Sequence, residues 1–314
     1  MVKRLLLASP RGYCAGVERA VETVERALAL YGSPVYVRKQ IVHNSHVVED
    51  LRSRGAVFVD ALADVPEGAT VVFSAHGIAP AVRREAKELR LTTIDATCPL
   101  VTKVHAQARR YADAGFALVL IGHAGHEEVE GTLGEAPDAI VLVQSAEDAE
   151  RVSLPADRPL AYLTQTTLSV DEAGEIVGVL RRRFPQIQGP AREDICYATS
   201  NRQWAVKELL QDVDLLLVIG SPNSSNSQRL VEVARAEGTS AHLVDDVTGI
   251  DESWLEGCET VGLTSGASAP ERLVAAVCAW FADRGAEVCE QQPVHEDVSF
   301  KLPVELRRAE RAAA

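Results

Sequence analysis

The chain has 314 residues, and 32 basic against 45 acidic side chains leave a formal net charge of −13. That balance excludes a primary nucleic-acid binder, which needs a basic face, but leaves room for a small anion held in a local pocket. An apolar fraction of 46% with 25% charged residues describes a folded protein, long enough for two or three domains, rather than a disordered one.

The opening MVKRLLLASP has too short an apolar stretch for a secretory signal and lacks the long Arg/Ser-rich stretch of a transit peptide. The longest apolar runs, such as 116–121 and 215–219, fall far below the ~18–20 residues of a membrane span. A cytoplasmic location with no membrane contact is therefore expected.

From Cys14 onward one pattern recurs. A cysteine ends a short extended piece. A helix, a strand, a polar tip, a second helix, a strand and a second polar tip follow. In the first copy VERAVETVERALALYG has apolar residues at helical spacing (Val17, Ala20, Val21, Val24, Ala27, Leu28), with Gly32 as its stop. PVYVRKQIV ends on the tip His43-Asn44-Ser45-His46. HVVEDLRSRG is a helix, VVF a strand ending at Ser74-Ala75-His76-Gly77, and AVRREAKEL a helix.

The second copy opens at Cys98, with Pro99 suited to a first helical turn. LVTKVHAQARRYADAG is its helix and FALVLIG a fully buried strand. The tip HAGHEEVEGT follows, then the strand LAYLTQTT and the helix DEAGEIVGVLRRRF, whose Arg181 to Arg183 read as a solvated face. The third copy opens at Cys196, with TSNRQWAVKELLQD as helix and DLLLVIG as buried strand. SPNSSNS is its tip, TVGLTSGASAP the later strand, and ERLVAAVCAWFADRG a helix.

Strands alternating with helices imply parallel sheets with right-handed crossovers, whose ligands bind beyond the carboxyl ends of the strands. The expected fold is three similar α/β domains with small, mainly parallel sheets around a pseudo-threefold axis and a central cavity. The domains are expected at 1–97, 98–195 and 196–285, with 286–314 as a C-terminal extension.

None of the six cysteines forms a C-x-x-C pair. Cys14, Cys98 and Cys196 occupy equivalent places, each just before a helix, where the N-terminus favours a thiolate. Cys258, Cys278 and Cys289 have no such equivalence, and Cys278 reads as core. Three thiolates can hold zinc with one open position, or a cubane iron–sulfur cluster with one iron lacking a protein ligand. Spacing does not choose between them.

The tips carry His43, His76 and His126, with Thr166, Thr167, Ser224, Ser225, Asn226 and Ser268. Such donors suit a phosphate. One acid of Glu127, Glu128 and Glu130, set beside a phosphate and a metal, would keep its proton and act as a general acid. Spacing does not choose among the three. A zinc hydrolase or lyase acting on a phosphorylated small molecule, and a non-catalytic phosphometabolite-binding module, remain open at this level.

RGYCAGVERAV, IVHN, SAHG, DATCPLVTKVH, IGHAGHEEVEGT, TQTTLSV, DICYATSNRQ, GSPNSSNSQRL, SGASAPE and FKLPVELR together resemble the LytB family of 4-hydroxy-3-methylbut-2-enyl diphosphate reductases. The resemblance spans nearly the whole chain. Glu127 stands where a proline is common in that family, at a position expected to have no chemical role.

The resemblance implies a 4Fe-4S cluster, one per chain, on Cys14, Cys98 and Cys196. It implies substrate contacts from His43, His76, His126, Thr166, Ser224, Ser225, Asn226 and Ser268, and Glu128 as proton donor. The activity it implies is reductive dehydroxylation of (E)-4-hydroxy-3-methylbut-2-enyl diphosphate to isopentenyl and dimethylallyl diphosphates. That is the last step of the methylerythritol phosphate route. Electrons would come from a ferredoxin or flavodoxin with its reductase.

Overall fold

The computed structural model describes residues 2–291 and 296–313. In chain order it runs β1 (Arg4–Leu7), α1 (Ala15–Tyr31), β2 (Val35–Arg38), α2 (Ser45–Ser53), β3 (Ala56–Val59), β4 (Thr70–Phe73), α3 (Pro80–Glu88) and β5 (Thr92–Asp95). It continues with α4 (Pro99–Asp113), β6 (Ala117–Ile121), α5 (Glu127–Leu133), β7 (Ile140–Val143), α6 (Ala146–Arg151), β8 (Leu160–Thr164) and α7 (Val170–Arg183). Then come α8 (Tyr197–Leu209), β9 (Leu215–Ile219), α9 (Ser225–Ala236), β10 (Ser240–Val244), β11 (Thr260–Ser265), α10 (Glu271–Ala282), β12 (Glu287–Glu290) and α11 (Val304–Ala313). Among the described residues no helix is long and apolar enough to cross a membrane.

The expected α/β class holds. All strand pairs are parallel, in a four-stranded sheet β3-β2-β4-β5, a three-stranded sheet β7-β6-β8 and a five-stranded sheet β10-β9-β11-β1-β12. The central strands β6 (ALVLI) and β9 (LLLVI) are buried at every position, as expected for strands covered on both faces. In the five-stranded sheet the two-residue period of a strand divides the apolar side chains between two cores. Leu5, Leu7, Leu215 and Leu217 face one core with Val274, Val277 and Phe281 of α10. Leu6, Ala8, Leu216 and Val218 face the other, with Val206 and Leu209 of α8 and Leu230 and Ala234 of α9. Cys258 lies in the first core and Cys278 packs against it, while Cys289 packs against the second.

The helices follow their sequence signals. Gly32 ends α1 with φ +77, a conformation that suits glycine, and its N–H bonds to the Leu28 carbonyl at 3.0 Å. Ser169 caps α7 by accepting from the Glu172 N–H. Three strands that the repeat pattern does not anticipate, β3, β7 and β10, each lie at the edge of a sheet. Each is partly exposed; β3 (AVFV) and β7 (IVLV) are short apolar runs, and β10 (SAHLV) carries Ser240 and His242.

Strand β1 pairs with β11, Arg4 opposite Thr260, although the two lie at opposite ends of the chain. Strand β12, from the expected C-terminal extension 286–314, pairs on its other side. Residues 292–295 and 314 of that extension lie outside the described residues. They include part of the extended segment 288–300.

Contacts divide the chain into two compact units. The first holds Met1–Val17, His43–Val47 and Tyr197–Ser299, and so the five-stranded sheet. The second holds Glu18–Val42, Val48–Cys196 and Phe300–Ala314, with the two smaller sheets.

Candidate active site

Each of the three repeat cysteines lies outside any disulfide and directly before a helix: Cys14 before α1, Cys98 before α4 and Cys196 before α8. Their backbones follow one rule. The Cys14 N–H donates to the Ala267 carbonyl at 3.2 Å, the Cys98 N–H to the Ala75 carbonyl at 2.9 Å, and the Cys196 N–H to the Thr166 carbonyl at 3.0 Å. Each acceptor belongs to the tip that closes the preceding repeat, and Cys14 is served by the last one. Each also adjoins or is a candidate substrate residue: Ser268, His76 and Thr166.

In the first unit Ser224, Asn226 and Ser268 are buried and hydrogen-bonded into the tips. Ser224 caps α9 by accepting from the Ser227 N–H at 3.3 Å, and its Oγ lies 3.5 Å from that of Ser268. Ser268 Oγ donates to the His43 carbonyl at 2.9 Å. Asn223, which sequence reasoning passed over, brings its Nδ2 within 3.4 Å of His43 Nδ1. The Asn226 carbonyl oxygen accepts from the Ala267 N–H at 2.8 Å, so the side chain steadies the tip that holds Cys14. Ser225, partly buried, opens α9 beside them.

Cys14 is partly buried, and desolvation pushes its thiol pKa up. The Arg202 guanidinium is the main opposing influence. The Tyr197 hydroxyl accepts from the Ala15 N–H at 3.2 Å, and burial raises its pKa strongly.

The second unit carries the titratable groups. Glu128 is 2% exposed. Its two oxygens accept from the Thr166 N–H at 2.6 Å and the Thr166 hydroxyl at 2.9 Å. These bonds favour the carboxylate, but burial outweighs them, with a smaller push from Asp194, and raises its pKa to about 7. Of the three acids at this tip, Glu130 is exposed, Glu127 partly buried and Glu128 buried.

His126 caps α5. Its Nδ1 accepts from the Glu128 N–H at 3.2 Å, which leaves the ring proton on Nε2 as a donor. The His76 ring packs edge-on against His126 with centroids 5.9 Å apart. Burial lowers the His76 pKa to about 4, so this imidazole is neutral at pH 7 without ligand. Gly77, at φ +84, makes the turn beyond it, where a Cβ would come within 2.9 Å of the His105 ring.

Glu127, at the position expected to have no chemical role, lies among the tip side chains. Its Oε2 accepts from Ser74 Oγ at 3.2 Å and lies 3.6 Å from His76 Nδ1. The only signal for this in the sequence is the acid itself, adjacent to His126 at a helix start.

The profile of the LytB protein family matches residues 5–282. The 4-hydroxy-3-methylbut-2-enyl diphosphate reductase of Acidothermus cellulolyticus is 60% identical over 308 residues, covering 98% of this chain and 91% of that protein. That of Cutibacterium acnes is 57% identical over 308 residues, covering 98% and 95%. Among solved structures, the E-1-hydroxy-2-methyl-but-2-enyl-4-diphosphate reductase from Plasmodium falciparum matches with a TM-score of 0.97 at 39% identity, over 100% of this chain and 99% of that one. A second, (E)-4-hydroxy-3-methyl-but-2-enyl diphosphate reductase, described as the terminal enzyme of the non-mevalonate pathway, matches at 0.63 and 30% identity, over 90% of this chain and 100% of that one.

Proposed function

This chain belongs to the LytB family, and from that premise we infer that it is a 4-hydroxy-3-methylbut-2-enyl diphosphate reductase acting at the end of the non-mevalonate isoprenoid route. The reaction takes two electrons and two protons, breaks the allylic C–O bond, releases water and leaves isopentenyl or dimethylallyl diphosphate. The observation that carries the reading is the shared rule of the three cysteines, each pinned by its N–H to a tip bearing candidate substrate groups.

Three cysteines outside any disulfide, each at a helix start, form a donor set that fits iron, and Cys14, Cys98 and Cys196 would hold a 4Fe-4S cluster. Such a cluster supplies Lewis acidity and single-electron transfer when bound.

The remaining work falls to the chain's own side chains. Ser224, Ser225, Asn226 and Ser268 offer neutral donors and, with His43, His76 and His126, hold the diphosphate. A diphosphate beside His76 favours its imidazolium and offsets the effect of burial. Glu128, with a pKa near 7, delivers a proton from its carboxyl oxygen. The Thr166 hydroxyl orients that carboxyl and the substrate hydroxyl. The electrons come from a ferredoxin or flavodoxin with its reductase.

The deciding experiment is anaerobic purification. Brown protein with about four irons per chain and reductase activity is expected. Colourless protein with stoichiometric zinc would point to a hydrolase or lyase instead, and metal-free protein that binds phosphates without turnover would point to a binding module.

A further inference from the structure

The helix after each cysteine carries a cation near its start: Arg19 five residues after Cys14, Lys103 five after Cys98 and Arg202 six after Cys196. Each reaches the carbonyls just before the next cysteine in the cycle. Arg19 donates to the Ala96 and Thr97 carbonyls at 2.9 and 3.0 Å, directly before Cys98. Lys103 donates to the Arg192 and Glu193 carbonyls at 3.0 and 2.6 Å, just before Cys196. Arg202 donates to the Gly12 carbonyl at 2.8 Å, two residues before Cys14. Arg202 interacts electrostatically with Cys14, and Arg19 with Cys98.

The three cations differ in their surroundings. Arg202 is fully buried, whereas the Lys103 side chain is 31% exposed. Arg202 meets Glu296 at 3.2 and 3.3 Å, and its Nε–H has no acceptor among the described residues. Lys103 meets Asp194 at 3.1 Å. An unscreened positive charge beside a centre that gains an electron favours the reduced form, and solvent weakens that effect.

We propose that Arg19, Lys103 and Arg202 are equivalent positioning residues, one for each cysteine loop, and that buried Arg202 beside the Cys14 loop raises the reduction potential of the iron centre while Glu296 offsets part of that effect. The proposal rests on the iron–sulfur reading. No bond is made or broken at these residues. The centre takes one electron at a time from the donor protein, or from dithionite in the assay.

The test is a redox titration of anaerobically purified, iron-loaded protein followed by electron paramagnetic resonance, with iron content measured in parallel. Arg202→Gln is expected to lower the equilibrium constant for one-electron reduction by on the order of tenfold, or ~59 mV. Arg202→Lys should restore most of it, Lys103→Met should shift it less than Arg202→Gln, and Glu296→Gln should shift it the opposite way. A loaded Arg202→Gln protein with the parent potential would overturn the proposal, as would a Glu296→Gln shift of the same sign. Should Arg202→Gln fail to hold iron, the Glu296 variant decides alone: a raised potential supports the proposal, and an unchanged or lowered one overturns it. A parent protein without iron would instead defeat the reading on which the proposal rests.

Discussion

The tip groups of the five-stranded unit are Asn223, Ser224, Ser225, Asn226 and Ser268, with His43, whereas those of the other unit are His76, His126, Glu127, Glu128 and Thr166. The first group is built of hydroxyls and amides, tied to each other and to backbone. Most of it does not change charge with pH. The second is built of imidazoles and carboxylates, and burial moves Glu128 up to about 7 and His76 down to about 4. On the proposed function, the contrast separates holding an anion from moving protons. Neutral donors bind equally well across the physiological range, while a proton donor must have a pKa near the working pH.

The largest effect expected is at Glu128. Glu128→Gln should keep the metal centre and bind substrate yet lose about 10²–10⁴-fold in kcat, the usual worth of acid–base catalysis. Near-normal turnover in single-turnover assays would remove Glu128 from proton chemistry.

The pH profile comes next. The donor is the neutral acid, present below its raised pKa of about 7 and lost above it. Turnover should therefore be greatest below pH 7 and fall by about tenfold per pH unit above it. A flat profile from pH 6 to 9 would break the contrast between the two groups.

Ser224 tests the other side. Ser224→Ala should raise KM about tenfold at unchanged kcat, by the same ratio at pH 6 and 8, because a buried donor is lost. The same substitution removes the cap of α9 and should cost about 1 kcal/mol in denaturant unfolding.

The smallest effect is at Glu127. Glu127→Gln keeps an acceptor for Ser74 and removes one charge beside His76. KM should move by no more than about threefold. That change should vary between pH 6 and 8, and a constant ratio would separate Glu127 from the titrating histidine.

Much of this was readable in advance, for reasons that differ by element. Strands β6 and β9 announce themselves because strands covered on both faces need unbroken apolar runs. Edge strands β3 (AVFV) and β7 (IVLV) do not, because an apolar run of four residues does not by itself separate a strand from a helix segment, and β10 (SAHLV) is interrupted by His242. The repeat cysteines stood out by equivalence alone. Nothing local to Glu127 reveals that its carboxylate meets Ser74 and lies near His76. Nothing local marks Arg19, Lys103 and Arg202, since basic residues are common on amphipathic helices.

By itself the sequence determined the helices, the parallel α/β class and the threefold recurrence of cysteine and tip. These depend on local periodicity, turn residues and order along the chain. Only the tertiary structure decided that β1 joins the sheet made largely from the other end of the chain. It also decided that Glu128 rather than Glu130 is buried, and that each helix cation reaches the next cysteine loop. Those outcomes depend on pairing and desolvation between residues far apart in the chain, and local propensity does not encode which distant group will arrive.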